Sequence, residues 1–398
     1  MNILQLCNKS PWPPKEGGPI AMHALTQGLT QLGHTVDVLA MSTPKYPVAA
    51  DSVPDCVAGN FHLVKVNNSV TITGAFANLF SSRSYHVTRF VSKRFEIELV
   101  KLLQSRNYDI VQLETIFVAP YIDIIRKYST ARIVLRAHNI EHLIWERIAK
   151  STVNPVTRKY IRYLSGKLSR YELSVFKNVD AIAAISPQDE AFIKSLNIAK
   201  PLTLVPFGVS ADNYQIPSAE AEWPSLFHLG SMDWFPNQEG MRWFITQVWP
   251  LVQREYPEIK LYLAGRNMPK WLTRSSFPGV SVIGEVPDAA EFMASKGVMI
   301  VPLFSGSGVR IKIIEGMALA KPVISTTIGA EGINCSNGEN IILADDPISF
   351  VREIRTLTQN REKATTLGLK ARELILREHN ADIASAKLAT LYEMAMSV

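Results

Sequence analysis

Cysteine is scarce in this sequence. The three cysteines, Cys7, Cys56 and Cys335, are odd in number, far apart and without metal-ligand spacing. This argues against a metal centre built on thiolates. We expect buried or free thiols in a reducing cytoplasm.

Long apolar runs are also missing. The 20 residues 17–36 carry no Asp, Glu, Lys or Arg, but they include Thr, Gln and His side chains and four glycines, so the sequence predicts no transmembrane helix. Even the apolar stretch 108–128 carries Asp109, Glu114 and Asp123. The N-terminus has no basic segment before an apolar one, so no secretory signal is predicted and we expect a cytoplasmic protein.

Charge is present but unevenly divided. Residues 1–200 hold 24 Lys and Arg against 15 Asp and Glu, whereas residues 201–398 hold 18 against 21. A basic half fits an anionic partner surface, and it equally fits lysines that are merely solvated. No interleaving of aromatic and basic residues supports nucleic acid, so we predict no nucleic-acid partner.

The first half alternates strand and helix patterns. Buried strands are predicted at 3–7, 36–40, 61–66, 110–113, 133–137 and 181–185. A loop with Gly17 and Gly18 follows the first strand and leads into a helix at 20–32. This β-loop-α-β start predicts a doubly wound parallel sheet with ligands at the carboxyl ends of its strands. His138 directly follows a strand and is a candidate for that edge.

Two helices of the first half are basic and amphipathic, at 88–105 and 156–177. Such a helix fits peripheral contact with an anionic membrane, here at the inner face, but an ordinary surface helix has the same pattern. Both interpretations remain open.

The second half also alternates strand and helix, with strands at 226–229, 259–264, 280–283 and 298–303. The last strand leads through Gly306, Ser307 and Gly308 into a helix. A strand, a glycine-rich turn and a helix start favour a bound phosphate. Arg310 and Lys312 add positive charge, and Glu315 is placed to receive sugar hydroxyls. We predict one domain at 1–205 and another at 206–379, with the helix 380–398 packing back on the first.

Over its whole length, the sequence resembles the retaining family 4 glycosyltransferases of the GT-B fold. The matching segments are Gly17-Gly18, 136–139, 178–186, 205–209 and, most specifically, 313–325. The resemblance implies two Rossmann-like domains facing across a cleft. It also implies a nucleotide-sugar donor on the second domain and a glycan or lipid-linked acceptor on the first, in polysaccharide or lipid-linked glycan synthesis.

Carried over by position, the resemblance assigns roles to individual residues. Glu315 would accept hydrogen bonds from the ribose hydroxyls. Val286 would pair with the nucleobase through its main chain, and His138 would lie near the primary hydroxyl of the donor sugar. The diphosphate would lie against these positions: Gly17, Gly18, Gly308, Val309 and Arg310.

The sequence departs from the family pattern at three positions. Ser307 stands where a sugar-binding glutamate is common, and Ser231 and Asn237 replace an expected Arg and Lys. Phosphate neutralisation would then fall to Arg310, Lys312 and Arg266. No Asp-x-Asp pair is present, so we expect no metal and no cofactor beyond the nucleotide-sugar. Two alternatives stay open: a UDP-sugar 2-epimerase and a non-catalytic nucleotide-sugar-binding subunit.

Overall fold

The structure is a computed structural model of the 398-residue chain. It describes residues 1–14, 17–49, 53, 60–71, 73, 74, 78, 81, 84–216, 220–274, 276–306 and 308–397. Two positions singled out above, Cys56 and Ser307, lie outside these residues. Cys7 and Cys335 are free thiols.

The chain divides into two compact units. Unit 1 comprises Met1–Gly208 together with Ala381–Val398, and unit 2 comprises Val209–Asn380. Each unit has its own hydrophobic core around a parallel β-sheet. No helix in the described part of the chain is long and apolar enough to cross a membrane.

Unit 1 is built on a seven-stranded sheet in the order β3-β2-β1-β4-β5-β6-β7. The strands are β1 Asn2–Cys7, β2 Thr35–Ser42, β3 Phe61–Lys65, β4 Ile110–Glu114, β5 Arg132–Ala137, β6 Ala181–Ala184 and β7 Leu202–Leu204. The helices are α1 Gly17–Gln31, α2 Tyr85–Thr88, α3 Lys93–Ser105, α4 Ile122–Tyr128, α5 Glu141–Ser151, α6 Pro155–Asn178, α7 Pro187–Ser195 and, after unit 2, α15 Ala381–Met396.

Unit 2 repeats the plan with six strands in the order β10-β9-β8-β11-β12-β13. The strands are β8 Ser225–Leu229, β9 Lys260–Ala264, β10 Val280–Gly284, β11 Val298–Val301, β12 Val323–Ser325 and β13 Ile342–Leu343. The helices are α8 Phe235–Trp243, α9 Trp249–Glu255, α10 Lys270–Thr273, α11 Ala289–Ala294, α12 Ile311–Ala318, α13 Pro347–Gln359 and α14 Arg361–Glu378.

Both strand orders are doubly wound, which confirms the predicted fold class. In such a sheet the order in which the strands are added reverses at a switch point, and ligands bind beyond the carboxyl ends of the strands there. The switch points lie between β1 and β4 in unit 1 and between β8 and β11 in unit 2.

The predicted helix 88–105 is wrong as one element. The chain forms α2 and α3 with a non-helical segment at 89–92 between them. Phe90 lies in this break, and Tyr121 donates a hydrogen bond from its hydroxyl to the Phe90 carbonyl at 2.9 Å. Phe95, Leu99 and Leu102 are buried, so the apolar side of α3 faces the core. The predicted helix 156–177 is confirmed as α6.

Candidate functional site

The carboxyl ends of β8 and β9, beside the switch point of unit 2, are brought together by glycines. Gly265 has a φ of +136°, and a Cβ at this position would lie 1.9 Å from the Gly230 carbonyl oxygen. The ends of β8 and β9 therefore approach more closely than any side chain allows. The same edge carries Trp234, which is partly exposed.

The loop between β11 and α12 folds over this indole. Gly306 has a φ of +102°, and a Cβ there would lie 2.8 Å from the Trp234 ring. The Arg310 guanidinium lies 5.2 Å from the ring centroid, a cation–π contact. Arg310 also donates to the Gly308 carbonyl at 2.5 Å. Gly306 thus permits the close approach of the loop to Trp234, and the indole ring and the Gly308 carbonyl hold the arginine.

Helix α12 begins directly after this arginine. Arg310 occupies the N-cap position, and no side chain caps the helix. Uncapped N–H groups at a helix start, together with the helix dipole, form an electropositive site for an anion. The predicted phosphate residues Gly308, Val309 and Arg310 lie at this helix start.

Glu315 is buried one turn into α12 and has two partners. The Tyr214 hydroxyl donates to Oε1 at 2.8 Å, and Lys312 Nζ lies 2.8 Å from Oε2. Lys312 is therefore ion-paired to Glu315, although the sequence predicted it as a cation available to phosphate. Tyr214 was missed because it is remote in sequence from Glu315.

Ser231 and Asn237, which stand where an Arg and a Lys were expected, form hydrogen bonds within the turn after β8. Asn237 donates to the Ser231 carbonyl at 2.9 Å, and the Ser231 hydroxyl donates to Asp233. These bonds fix the turn after β8. Arg266 and Val286 follow β9 and β10 at the same sheet edge and are half-buried.

The switch point of unit 1 contains a buried charged group. Glu114 is fully buried and accepts from Gln5 at 2.8 Å, from Arg136 at 3.2 Å and from His138 Nε2 at 2.5 Å. The register pairs Glu114 with Arg136 on β5, which places both side chains on one face of the sheet. Burial alone would raise the pKa of the Glu114 carboxyl, but Arg136 and His138 outweigh it and lower the pKa to about 2.

The Glu114 carboxylate influences which ring nitrogen of His138 carries the proton. An ionised carboxylate only accepts, so His138 Nε2 must carry the proton. In the neutral ring Nδ1 is then an acceptor. Burial lowers the pKa of His138, although the bond to Glu114 acts in the opposite direction. Burial thus favours the neutral form of His138, and the contact with Glu114 favours the tautomer that is protonated at Nε2.

Two further charged residues at this edge were missed as site residues. Lys9 follows β1, and a Cβ on Gly18 would lie 2.6 Å from its Nζ. Gly18 therefore leaves room for this lysine, and burial lowers the Lys9 pKa to about 8. Glu141 accepts from Asn139 at 3.2 Å, and burial with nearby Glu172 raises its pKa to about 7. A charged residue just after a buried strand is the signal that could have found Lys9.

Within the described residues, no group of three His, Cys, Asp or Glu side chains could hold a metal ion. Metal independence stays a prediction.

Comparison with known proteins identifies the family. The profile of the family described as Glycosyltransferase Family 4 matches residues 16–213, and that of Glycosyl transferases group 1 matches residues 224–360. The chain belongs to the family 4, or group 1, glycosyltransferases. The resemblance noted in the sequence is confirmed at the level of the family.

Two relatives of this glycosyltransferase match over nearly its full length and over about half of it. An uncharacterized 44.6 kDa protein in the cps region of Klebsiella pneumoniae is 22% identical, covering 95% of this chain and 96% of the relative. The phosphatidyl-myo-inositol mannosyltransferase of Mycobacterium leprae is 25% identical, covering 48% of this chain and 52% of the relative.

Solved structures show the fold of this glycosyltransferase. The sucrose-phosphate synthase of Thermosynechococcus elongatus has a TM-score of 0.71 at 16% identity, with full coverage of both chains. Anabaena HepE in complex with UDP has a TM-score of 0.68 at 14% identity, covering 99% of this chain and 100% of that one. The predicted GT-B fold is confirmed.

Proposed function

We propose that this glycosyltransferase moves a sugar from a nucleoside diphosphate sugar to an acceptor hydroxyl. We propose further that it retains the anomeric configuration and needs no metal. The observation that carries the proposal is the buried carboxylate of Glu315 next to the uncapped start of α12. A carboxylate accepts bonds from ribose hydroxyls, and a helix start favours the diphosphate. The Anabaena neighbour with bound UDP supports a nucleotide of this class.

The barrier to such a transfer lies in breaking the bond between the sugar and the leaving diphosphate. Preorganised donors that stabilise charge on that diphosphate lower the barrier. The N–H groups of α12 and the guanidinium of Arg310 are suited to this, with Lys312 as a further cation. The acceptor oxygen attacks from the side of the leaving group, and its proton passes to the leaving phosphate oxygen. No protein nucleophile is required.

Substitution at the donor site tests the proposal. Glu315→Ala and Lys312→Ala are each expected to reduce turnover by ~10²-fold or more, comparable to losing one electrostatic donor. Turnover is followed as UDP release from a panel of nucleotide sugars with glycan and lipid-linked acceptors.

Unit 2 supplies a matched control. Glu222 lies three residues before β8 begins. It accepts a hydrogen bond from the Tyr262 hydroxyl at 2.6 Å and forms an ion pair with Lys296 at 2.7 Å. Glu222→Ala and Lys296→Ala remove the same chemistry from the opposite end of that strand and should leave turnover within a few-fold of wild type. Near-wild-type activity in both donor-site variants would contradict the assignment.

Two other outcomes would support the alternatives. UDP binding without transfer to any acceptor favours a non-catalytic binding subunit. Interconversion of UDP-GlcNAc without an acceptor favours a 2-epimerase.

We also infer that the tip of the α5–α6 hairpin, residues 152–163, rests on an anionic lipid surface. Val153 and Val156 are 87% and 77% exposed. A pocket of about 520 Å³ opens between Val156, Lys159 and Tyr163. Exposed apolar side chains among basic ones, with Arg158 and Arg162 nearby, fit the headgroup boundary of an anionic bilayer.

The mannosyltransferase relative, whose name includes a phosphatidyl-inositol, supports a lipid-linked acceptor.

Vesicle binding tests this surface. The double variant Val153→Glu plus Val156→Glu should lose about tenfold or more in co-sedimentation with phosphatidylglycerol vesicles, since it replaces insertion by repulsion. Ile97→Glu, on the exposed side of α3, is the control and should bind as wild type does. Equal binding to phosphatidylcholine and phosphatidylglycerol would overturn the inference.

A further inference from the structure

Tyr214 connects the chain crossover to the candidate donor site. The chain enters unit 2 at Val209, whose N–H donates to the His379 carbonyl at 2.7 Å. Five residues later, the Tyr214 hydroxyl donates to Oε1 of Glu315 at 2.8 Å. A residue outside the sheet and its helices thus contacts the carboxylate assigned to the ribose.

Tyr214 is firmly held in this position. Its side chain is 8% exposed. Arg372 on α14 donates to the Tyr214 carbonyl and to the carbonyl of Ala318, the last residue of α12. One arginine therefore ties the backbone of Tyr214 to the helix that carries Glu315. Burial and the neighbouring Glu315 raise the pKa of Tyr214, so its hydroxyl keeps its proton and acts as a donor.

The second partner of Glu315 is much less constrained. Lys312 is 29% exposed and its ammonium lies at the end of a flexible stem. An ionised carboxylate offers about four acceptor positions over two oxygens. Tyr214 occupies one on Oε1. When Lys312 turns away, Oε2 becomes free and each oxygen keeps an open acceptor position.

We propose that Tyr214 is a positioning residue that sets nucleotide specificity in the donor site. Its hydroxyl fixes the Glu315 carboxylate so that both oxygens accept from a vicinal diol, and the site therefore selects a ribonucleotide over a 2′-deoxyribonucleotide. Lys312 is the exchangeable partner: it leaves Glu315 when the ribose arrives and turns to the diphosphate. This inference rests on the proposed function, in which Glu315 receives the donor ribose.

Titration calorimetry with UDP and 2′-deoxy-UDP tests whether Tyr214 sets the preference for a ribonucleotide. Wild type should bind UDP more tightly than 2′-deoxy-UDP. Tyr214→Phe keeps the ring and removes only the hydroxyl, so it should weaken UDP binding about fivefold and reduce the preference for UDP. Tyr262→Phe removes the same type of bond, from Tyr262 to Glu222, and should leave both affinities unchanged.

A second variant covers the case in which Tyr214→Phe does not fold. Arg372→Met releases the backbone of Tyr214 without altering its hydroxyl and should also reduce the preference for UDP. A wild-type preference in every folded variant would overturn the inference. Tighter UDP binding by Tyr214→Phe would also overturn it, because Tyr214 would then compete with the ribose.

Failure of the proposed function would look different. Wild type would then bind none of UDP, ADP and GDP, and the role of Tyr214 would fall with it. Binding by wild type with unchanged discrimination in the variants removes only the inference.

Discussion

At the scale of single residues, buried charge is concentrated at the switch point of unit 1. Arg136 is 1% exposed and has the carboxylate of Glu114 as its counter-charge. The network continues through Gln112 to the Tyr392 hydroxyl on α15, and through Gln5 to Thr26 on α1. Because each group is desolvated, removing one partner costs far more than the pair contributes.

Glu114→Gln is expected to lower the free energy of unfolding by about 3–5 kcal/mol, since it leaves Arg136 buried without a counter-charge. Urea denaturation followed by circular dichroism measures the change. The control is Glu98→Gln, whose partners Lys101 and His62 lie 3.2 Å and 3.6 Å away and are partly exposed to solvent. Each of these pairs should contribute at most about 1 kcal/mol. Equal losses in the two variants would contradict a buried charge network.

Glu141 should make stability depend on pH. Burial and Glu172 raise its pKa from 4.5 to about 7, so between these values the folded state holds a proton that the unfolded state has lost. Stability from this group is present at low pH and falls as pH rises through about 7. Glu141→Gln cannot lose a proton at this position. The melting temperature of this variant should therefore rise relative to that of wild type between about pH 5 and about pH 8.

The control for this pH dependence is Glu146→Gln, an exposed position on the same helix. A difference between Glu141→Gln and wild type that is the same at every pH would show that Glu141 is ionised in the folded protein throughout this range.

At the scale of elements, the contact between α1 and α15 depends on a missing side chain. A Cβ at Gly28 would lie 2.0 Å from the Ser385 hydroxyl oxygen and 2.7 Å from the Ser385 Cβ. Met22, Leu25 and Leu29 on α1 share a core cluster with Leu388, Leu391 and Tyr392 on α15. The glycine sets how closely these two helices approach.

Two glycines in helices should therefore respond in opposite directions to alanine. Gly28→Ala should destabilise by about 1–3 kcal/mol through overpacking against α15. Gly166 on α6 has open space at the Cβ position, so Gly166→Ala should stabilise by about 1 kcal/mol through helix propensity alone. Chemical denaturation measures both. Stabilisation by Gly28→Ala would show that the helix contact yields without cost.

At the scale of the whole molecule, unit 1 is completed by the end of the chain. The chain leaves unit 1 after Gly208 and returns at Ala381. Gly208 and Ala381 are closely packed, since a Cβ on Gly208 would lie 2.6 Å from the Ala381 Cα. Unit 1 is thus discontinuous in sequence, and its last helix covers part of its own core.

A variant truncated after Asn380 should lose protection from amide hydrogen exchange in unit 1 but keep it in unit 2. Without α15, the apolar side of α1 is exposed to water, and amide hydrogen exchange in 17–31 should accelerate by orders of magnitude. Helix α13 in unit 2 packs in a separate core and should exchange as in the full chain. Unchanged exchange in α1 would show that α15 is dispensable for unit 1.

Part of the candidate site could be proposed from local pattern. Arg310, Glu315 and His138 were predicted because each follows a buried strand or lies at a fixed offset within a helix start. The pairing of Lys312 with Glu315 was not predicted, although residues three apart on a helix are neighbours on its surface. Tyr214 was missed because its partner is remote in sequence: Glu315 lies 101 positions after Tyr214.

The sequence by itself determined the alternation of strands and helices, the doubly wound class and the family, since periodicity and short motifs are local properties. It also placed the glycine-rich turn before α12. Only the tertiary structure decided which buried polar groups meet: Glu114 with Arg136 and His138, and Glu315 with Tyr214. The physical reason is that parallel strands and a chain that crosses between units join distant segments, and burial then fixes the ionisation and the partners of each side chain.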